Sequence, residues 1–391
     1  MTKIQKSNAK EVMSLGQIIF CAMSAFVLVL TFIESQTVIE AMSQGLRVCT
    51  EALIPSLFPF MVLSELLMDS GAPELLCRVF GKAFERVFGI RREGAAAFLL
   101  GITLGFPIGA KSALSLYQSG RISRSELEHL MCFCNGPSPA FLISAVGVSL
   151  FGSQRLGFLF YGADILAATV IGIASRVFFD HKGDIPAAIA ATNEKKRQKS
   201  PGAIRSLCSA VRSSALSMLY ICAFITFFSV LIGVISSYMQ ALGAPKILLS
   251  LTLGFFEMTS GVTAASSLTP GAALLCVAAI IGWSGLSVHF QLVSLCDESE
   301  LSFFSYFAAK AMRSALSVVI IFLWSMLFGD IAPLFESSSP SFIHTYAPHP
   351  LHIFTLSVFC AAVIVIIKGK RDQLRGQGRI KNHICSKKEN Y

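Results

Sequence analysis

The sequence predicts an all-α polytopic membrane protein, an inverted repeat of helices with two opposed re-entrant hairpins and about 8 full transmembrane helices. The first observation behind this is composition. Hydrophobic residues make up 54% of the chain and charged residues 14%, and mean hydropathy is +0.66, values that water does not keep in solution. The second is a series of apolar segments at roughly 15–33, 46–69, 94–119, 128–152, 155–179, 211–237, 246–267, 272–295, 303–328 and 351–367. The third is that 94–119 and 246–267 are interrupted, by GFPIG and by GFFEMTSG, in the middle of stretches long enough to span.

Each element follows from charge and length. Lys3, Lys6 and Lys10 keep the start of the chain in the cytoplasm, so segment 15–33 is an uncleaved first helix that leads out, and ESQTVIEAMSQG lies outside. Segment 46–69 returns. It meets PELLCRVFGKAFERVFGIRRE, where Leu76, Val79, Phe80, Ala83, Phe84, Val87 and Phe88 form one face and Arg78, Lys82 and Arg86 another, an amphipathic helix for the inner surface. If 94–119, 128–152 and 155–179 all crossed, the basic loop HKGDIPAAIAATNEKKRQKSPGAIR would land outside. Turning 94–119 back on itself removes the conflict. Each arm then has about 12 residues, roughly 18 Å of helix, which reaches mid-membrane.

The second half repeats this upside down. Segment 211–237 leads out, 246–267 turns back, 272–295 and 303–328 cross, and 351–367 returns KGKRDQLRGQGRIKNHICSKK to the cytoplasm, so both termini are cytoplasmic. Of 32 basic residues, Lys111 falls in the first hairpin and only Arg47, Arg155 and Lys246 fall outside. The chain thus divides into an N-terminal tail and first helix (1–45), a first repeat (46–180) with hairpin 94–119, a basic cytoplasmic linker (181–210), a second, inverted repeat (211–328) with hairpin 246–267, and an outer loop, last helix and basic tail (329–391). LGFPIGAK at 104–111 and LGFFEMTSG at 253–261 occupy matching places. Each precedes an interrupted helix, carrying NGPSPAFLI at 135–143 and GWSGLSVHF at 282–290.

Broken helices at membrane depth expose free amides, which attract anions, and free carbonyls, which attract cations. Gly105, Pro107 and Gly109 form the first turn, with Lys111 just after it to meet a carboxylate or phosphate, or else to snorkel to the inner surface. Asn135 and Ser138, beside Pro137 and Pro139, break the first interrupted helix. Glu257, with Thr259 and Ser260, lies at the second turn, where a carboxylate needs a cation, a proton or a partner; Lys111 and the solute are both candidates. Ser284 and His289 occupy the second break, with Trp283 placed to stack on a planar ring; His289 is a hydrogen-bonded packing residue or a proton carrier. Asp164 pairs with Lys111, carries a proton or has another, structural partner, and Glu257 and Asp164 are the ion- or proton-coupling candidates. Glu51 and Glu65, nearer the membrane surfaces, are read as structural. The 11 cysteines behave as small apolar residues, and no metal site or cofactor is expected. The chain has no G-x-x-x-x-G-K-S/T loop for ATP and no HExxH or G-x-S-x-G motif, so no catalytic residue is assigned and an enzyme is not expected. The expected partners are a small anionic solute and the lipid bilayer, without nucleic acid. A homo-oligomer or other membrane proteins remain open.

FPIGAK after a glycine-rich apolar run, the NGPSPAFLI break and the GFFEMTSG counterpart resemble the YlbJ-type sporulation integral membrane proteins, also called stage V sporulation protein V. These belong to the nucleoside-recognition or Gate-domain superfamily, related to concentrative nucleoside transporters. The likeness covers roughly residues 45 to 330. It implies a role in endospore formation, moving dipicolinic acid out of the mother cell across the outer forespore membrane. That flat pyridine with two carboxylates suits helix N-termini, Lys111 and Trp283. Two other functions stay open: transport of nucleosides or other small metabolites, and a non-transporting role in assembling a sporulation membrane complex.

Overall fold

The protein is described here from a computed structural model, which covers residues 15–69, 72–179, 203–295 and 302–328. The expected last span (351–367), the outer loop, the basic tail and most of the basic linker lie outside these residues. Among the described residues every regular element is helical.

In chain order the elements are α1 (Leu15–Ile33), α2 (Ser35–Arg47), α3 (Ile54–Asp69), α4 (Ala72–Phe88), α5 (Gly94–Leu104), α6 (Ile108–Gln118), α7 (Arg124–Phe133), α8 (Ala140–Leu150, wound as a π-helix), α9 (Gln154–Ser175), α10 (Ala203–Ala241), α11 (Lys246–Phe256), α12 (Met258–Ala265), α13 (Pro270–Trp283), α14 (Leu286–Val293) and α15 (Phe303–Phe328). A π-helical stretch, Val48–Leu53, joins α2 to α3. The segment expected to lie outside, ESQTVIEAMSQG, is therefore mostly helix. Its small residues explain why: α2 lies along α10, with Gly45 against Ser229 and Ala41 against Gly233, so each helix offers a small residue every fourth position and the backbones approach closely.

Four stretches are long and apolar enough to cross a bilayer: Gln154–Phe178, Ile204–Ala241, Pro270–Val293 and Phe303–Phe328. These match four of the expected crossings. Leu57–Leu66, Gly94–Leu104, Ala140–Leu150 and Lys246–Phe256 are apolar but shorter. The expected crossing at 128–152 is divided where its interruption was expected, because the chain is unwound between α7 and α8 at Asn135–Ser138. Two prolines in NGPSP remove amide donors and bar the residues before them from helical backbone angles.

Amphipathic α4 is present, but its seven apolar residues do not share one environment. Phe84 and Phe88 turn into an aromatic core with Phe98 and Phe133, whereas Val79, Phe80 and Val87 stay exposed. Arg78, Lys82 and Arg86 form a third, basic stripe, also exposed. The corner after α4 is tied to α7. Ser123 and Glu126 form a capping box at the start of that helix, and the buried Glu126 carboxylate also accepts the Arg91 amide at 3.0 Å.

Both interrupted apolar segments fold as two short helices joined by a tight turn and packed against each other: α5 with α6 across Gly105–Pro107, and α11 with α12 across Glu257. Glycines permit the packing. A Cβ on Gly109 would come within 2.9 Å of the Gly101 Cα, and one on Gly261 within 2.2 Å of the Gly254 Cα. Each half then supplies a helix broken in its middle, α7 to α8 and α13 to α14, so the same set of parts occurs twice. Gly101→Ala would press a methyl group to 1.8 Å from the Cys134 carbonyl oxygen. We expect that variant to lose about 1–3 kcal/mol and to melt several degrees lower in a detergent thermal-shift assay.

Candidate functional site

Each turn sits on the break of its own half. Gly105, with φ +77°, brings its backbone so near Ser138 that a Cβ there would lie 2.5 Å from the Ser138 nitrogen. Gly285, with φ +83°, does the same in the second half, 2.8 Å from the Met258 nitrogen beside Glu257. Both positions need a left-handed backbone and no side chain, which glycine alone supplies freely. Next to Gly285, Ser284 also has positive φ, at +78°, without being glycine, a conformation that persists only where its surroundings hold it.

The surroundings that hold it come from α15. Lys310, fully buried, donates from Nζ to the Asn135 carbonyl at 2.7 Å in the first break and to Ser284 Oγ at 3.2 Å in the second. The same ammonium lies 4.7 Å from the centre of the Phe106 ring at the first hairpin turn. One turn on, Arg313 also donates to the Asn135 carbonyl at 3.0 Å. Its guanidinium grips Asp164 of α9 in a bidentate pair, Nε to Oδ1 at 2.8 Å and Nη2 to Oδ2 at 2.6 Å. Gly136 makes room for that pair: a Cβ there would meet Arg313 Nη2 at 2.6 Å.

The structure thus brings Gly105, Pro107, Gly109, Asn135 and Ser138 together at one junction and Glu257, Thr259, Ser260, Trp283, Ser284 and His289 at another, and Lys310 touches both. Several individual expectations resolve differently. Asp164 pairs with Arg313, not Lys111. Glu257 meets neither Lys111 nor another cation among the described residues; its buried carboxylate caps α12, accepting from the Thr259 amide at 2.8 Å and the Ser260 amide at 2.7 Å, so the helix N-terminus stabilises its charge. Trp283 stacks on Phe255, with centroids 5.4 Å apart and planes at 6°, and donates Nε1 to the Phe255 carbonyl, so that face of its ring is occupied. Ser138 Oγ accepts from the Phe141 amide at the start of α8. His289 Nδ1 is hydrogen-bonded to the Tyr306 hydroxyl at 2.8 Å. The Asn135 side-chain amide, at both Oδ1 and Nδ2, and His289 Nε2 are among the buried groups without a hydrogen-bond partner among the described residues.

Lys111 stands apart, on α6 facing α3 and α10. Its Nζ bonds Glu65 Oε1 at 3.2 Å and Ser217 Oγ, and Ser213 Oγ donates to the same Glu65 oxygen at 2.9 Å. This group borders a cavity of about 190 Å³ lined by Met61, Ser64, Glu65, Ile108, Lys111, Ser112 and Ser115. Glu65, read from the sequence as structural, is the partner of Lys111. Charge counting set only Lys111, Arg47, Arg155 and Lys246 apart and passed over Lys310 and Arg313. These two are interior residues, 0% and 1% exposed, held where helix breaks leave carbonyls to satisfy. Their signal was present in FFSYFAAKAMRSALSVVIIF: two cations three residues apart, on one face, inside an apolar helix.

No protein-family model matches the chain. Over 354 residues it is 30% identical to the sporulation integral membrane protein YlbJ of Bacillus subtilis (strain 168), a match covering 81% of this chain and 85% of that protein. The chain belongs to the YlbJ family. Two solved structures of CNTnw variants in an outward-facing state are also similar, with TM-scores of 0.46 and 0.43 and identities of 14% and 15%, covering 81% and 80% of this chain and 85% and 84% of theirs. This YlbJ-family protein is an integral membrane protein, as its apolar helices require.

The buried pair in this YlbJ-family chain gives a direct test. Asp164→Ala leaves a guanidinium uncompensated and should cost about 3–5 kcal/mol, as should Arg313→Ala. The double variant should be less destabilised than the sum of the two, and thermal-shift measurements on the three purified proteins check the non-additivity.

Proposed function

We propose that the protein is a secondary transporter or facilitator of a small aromatic dicarboxylate, dipicolinic acid in the first place, carrying it out of the mother cell across the outer forespore membrane. The observation that supports this most is the Lys111 cavity. A cavity of about 150 Å³ accepts a benzene ring, so about 190 Å³ suits a one-ring solute. Here the lining carries an ammonium and three serine hydroxyls, groups suited to a carboxylate, where a greasy pocket would suit only the ring. Glu65 competes for Lys111, and an arriving carboxylate takes over that ammonium as Glu65 turns to Ser213.

In this proposal the two hairpins are re-entrant from opposite faces and the two halves are inverted repeats, so the solute moves from the Lys111 cavity toward the junctions. There the unbonded amide of Asn135 and Nε2 of His289 offer it hydrogen bonds. We place α4 at the inner membrane surface, where Val79, Phe80 and Val87 enter the lipid boundary and Arg78, Lys82 and Arg86 meet anionic headgroups. Asp164 and Glu257, both already satisfied by protein groups, keep the site assembled.

The test replaces the resident gene of an endospore-forming host with this one and its variants. Deletion should abolish dipicolinate accumulation in spores. Lys111→Ala should weaken solute binding about tenfold or more, since a hydrogen bond to a charged group contributes about 1.5–3 kcal/mol. Glu65→Gln, which frees Lys111 of its competitor, should keep or raise dipicolinate content. Normal spore dipicolinate in the deletion strain refutes the proposal. Uptake of labelled uridine by proteoliposomes above empty vesicles would favour a nucleoside instead. Site variants that are silent, beside α4 variants that are not, would favour an assembly role.

A further inference from the structure

Unwound backbone in broken-helix transporters coordinates the coupling cation through freed carbonyls. In this chain the freed carbonyl of the first break is already taken. The Asn135 oxygen receives Lys310 Nζ at 2.7 Å and Arg313 Nη1 at 3.0 Å, while Lys310 also reaches Ser284 Oγ in the second break. Carbonyl oxygen, hydroxyl oxygen and the face of Phe106 make a ligand set of the kind that holds a monovalent cation, ammonium or alkali. Among the described residues no carboxylate forms an ion pair with Lys310, and Asp164 is gripped on both oxygens by Arg313. Lys310 Nζ is wholly buried and meets two neutral oxygens and a ring, with the Arg313 guanidinium on the same carbonyl.

Building on the transport function above, we propose that the Lys310 ammonium is a tethered substitute for a coupling cation, so that this protein binds and requires neither sodium nor potassium. A covalently attached cation cannot dissociate, so no alkali gradient is consumed in its release. It also cross-links the two breaks and α15 permanently, a role that a diffusible ion fills only while bound.

The experiment uses the purified full-length protein in detergent and reads melting temperature in sodium, potassium, methylammonium and choline chloride at equal ionic strength. The wild-type protein should melt at the same temperature in all four, because its cation site is filled. Lys310→Ala should melt several degrees lower in choline, and sodium, potassium or methylammonium, small enough to enter the vacated site, should restore part of the shift. Stabilisation of the wild type by sodium or potassium over choline overturns the inference, and so does a Lys310→Ala protein indifferent to all four salts. The wild-type comparison decides the matter even where Lys310→Ala fails to fold. None of these readouts uses solute flux. Absent dipicolinate transport with no salt effect removes the transport function alone, whereas sodium-dependent dipicolinate flux removes this inference alone.

Discussion

The structure depends on one constraint: backbone groups released where helices break in apolar surroundings must find partners, since water does not reach them there. The sequence creates the problem deliberately, with NGPSP in one half and GWSG in the other. Its solution is supplied from outside both broken helices, by Lys310 and Arg313 one turn apart on α15. A charged donor is suited to this because the C-terminal end of α7 carries partial negative charge, so a cation gains from the helix dipole as well as from the hydrogen bond. Arg313 then needs its own compensation, and Asp164 on α9 provides it with both oxygens. The aromatic ring of Phe106 completes the cage around Lys310. The two broken helices, α9, α15 and one hairpin turn are thereby fixed relative to one another by a few side chains.

Close backbone approach makes this arrangement fit. Glycines at 101 and 109 let both arms of the first hairpin press on the Cys134 carbonyl, just before the break. Gly105 and Gly285 then set each turn against its own broken helix, and Gly282 brings α13 against Ser314 of α15, whose hydroxyl bonds the Ala279 carbonyl at 2.7 Å. In lipid, contacts of this kind replace the hydrophobic effect as the force between helices. The energetic consequence is that position, more than bulk apolarity, is encoded at these sites. A leucine elsewhere on α9 or α10 can be exchanged for another apolar residue, whereas a methyl group at Gly101 meets backbone.

Much of this was legible in the sequence. Hydropathy gave the helices, and the GFPIG and GFFEMTSG interruptions gave both hairpin turns, because a proline or a glutamate amid apolar residues has few other uses. NGPSP and GWSG gave both breaks for the same reason. What could not be read was pairing. Lys111 sits 46 residues from Glu65 and 106 from Ser217, and Arg313 sits 149 from Asp164, separations over which a single chain carries no register. Charge counting also passed over Lys310 and Arg313, since that rule sorts loop residues between two aqueous sides and has no category for a cation consumed inside the protein. The residues of α2 were passed over because their polarity resembles a loop, while the small-residue stripe at Ala41 and Gly45 that docks them on α10 is visible only with its partner stripe in view.

The two lysines nearest the first hairpin turn illustrate how one side-chain type takes two roles. Lys310 is enclosed and meets neutral oxygens and a ring. Lys111 is partly open, with its side chain 24% exposed, is balanced by a single carboxylate also partly exposed, and borders an empty volume. Exchange of partners is cheap at the second and costly at the first. Replacing Glu65 by another carboxylate at Lys111 trades one ion pair for another in a half-wet site, where such pairs contribute little net energy. Removing the carbonyl and hydroxyl from Lys310 would strand a charge in the interior. One element meets both, since the first hairpin carries Lys111 on its second arm and presents Phe106 to Lys310 at its turn.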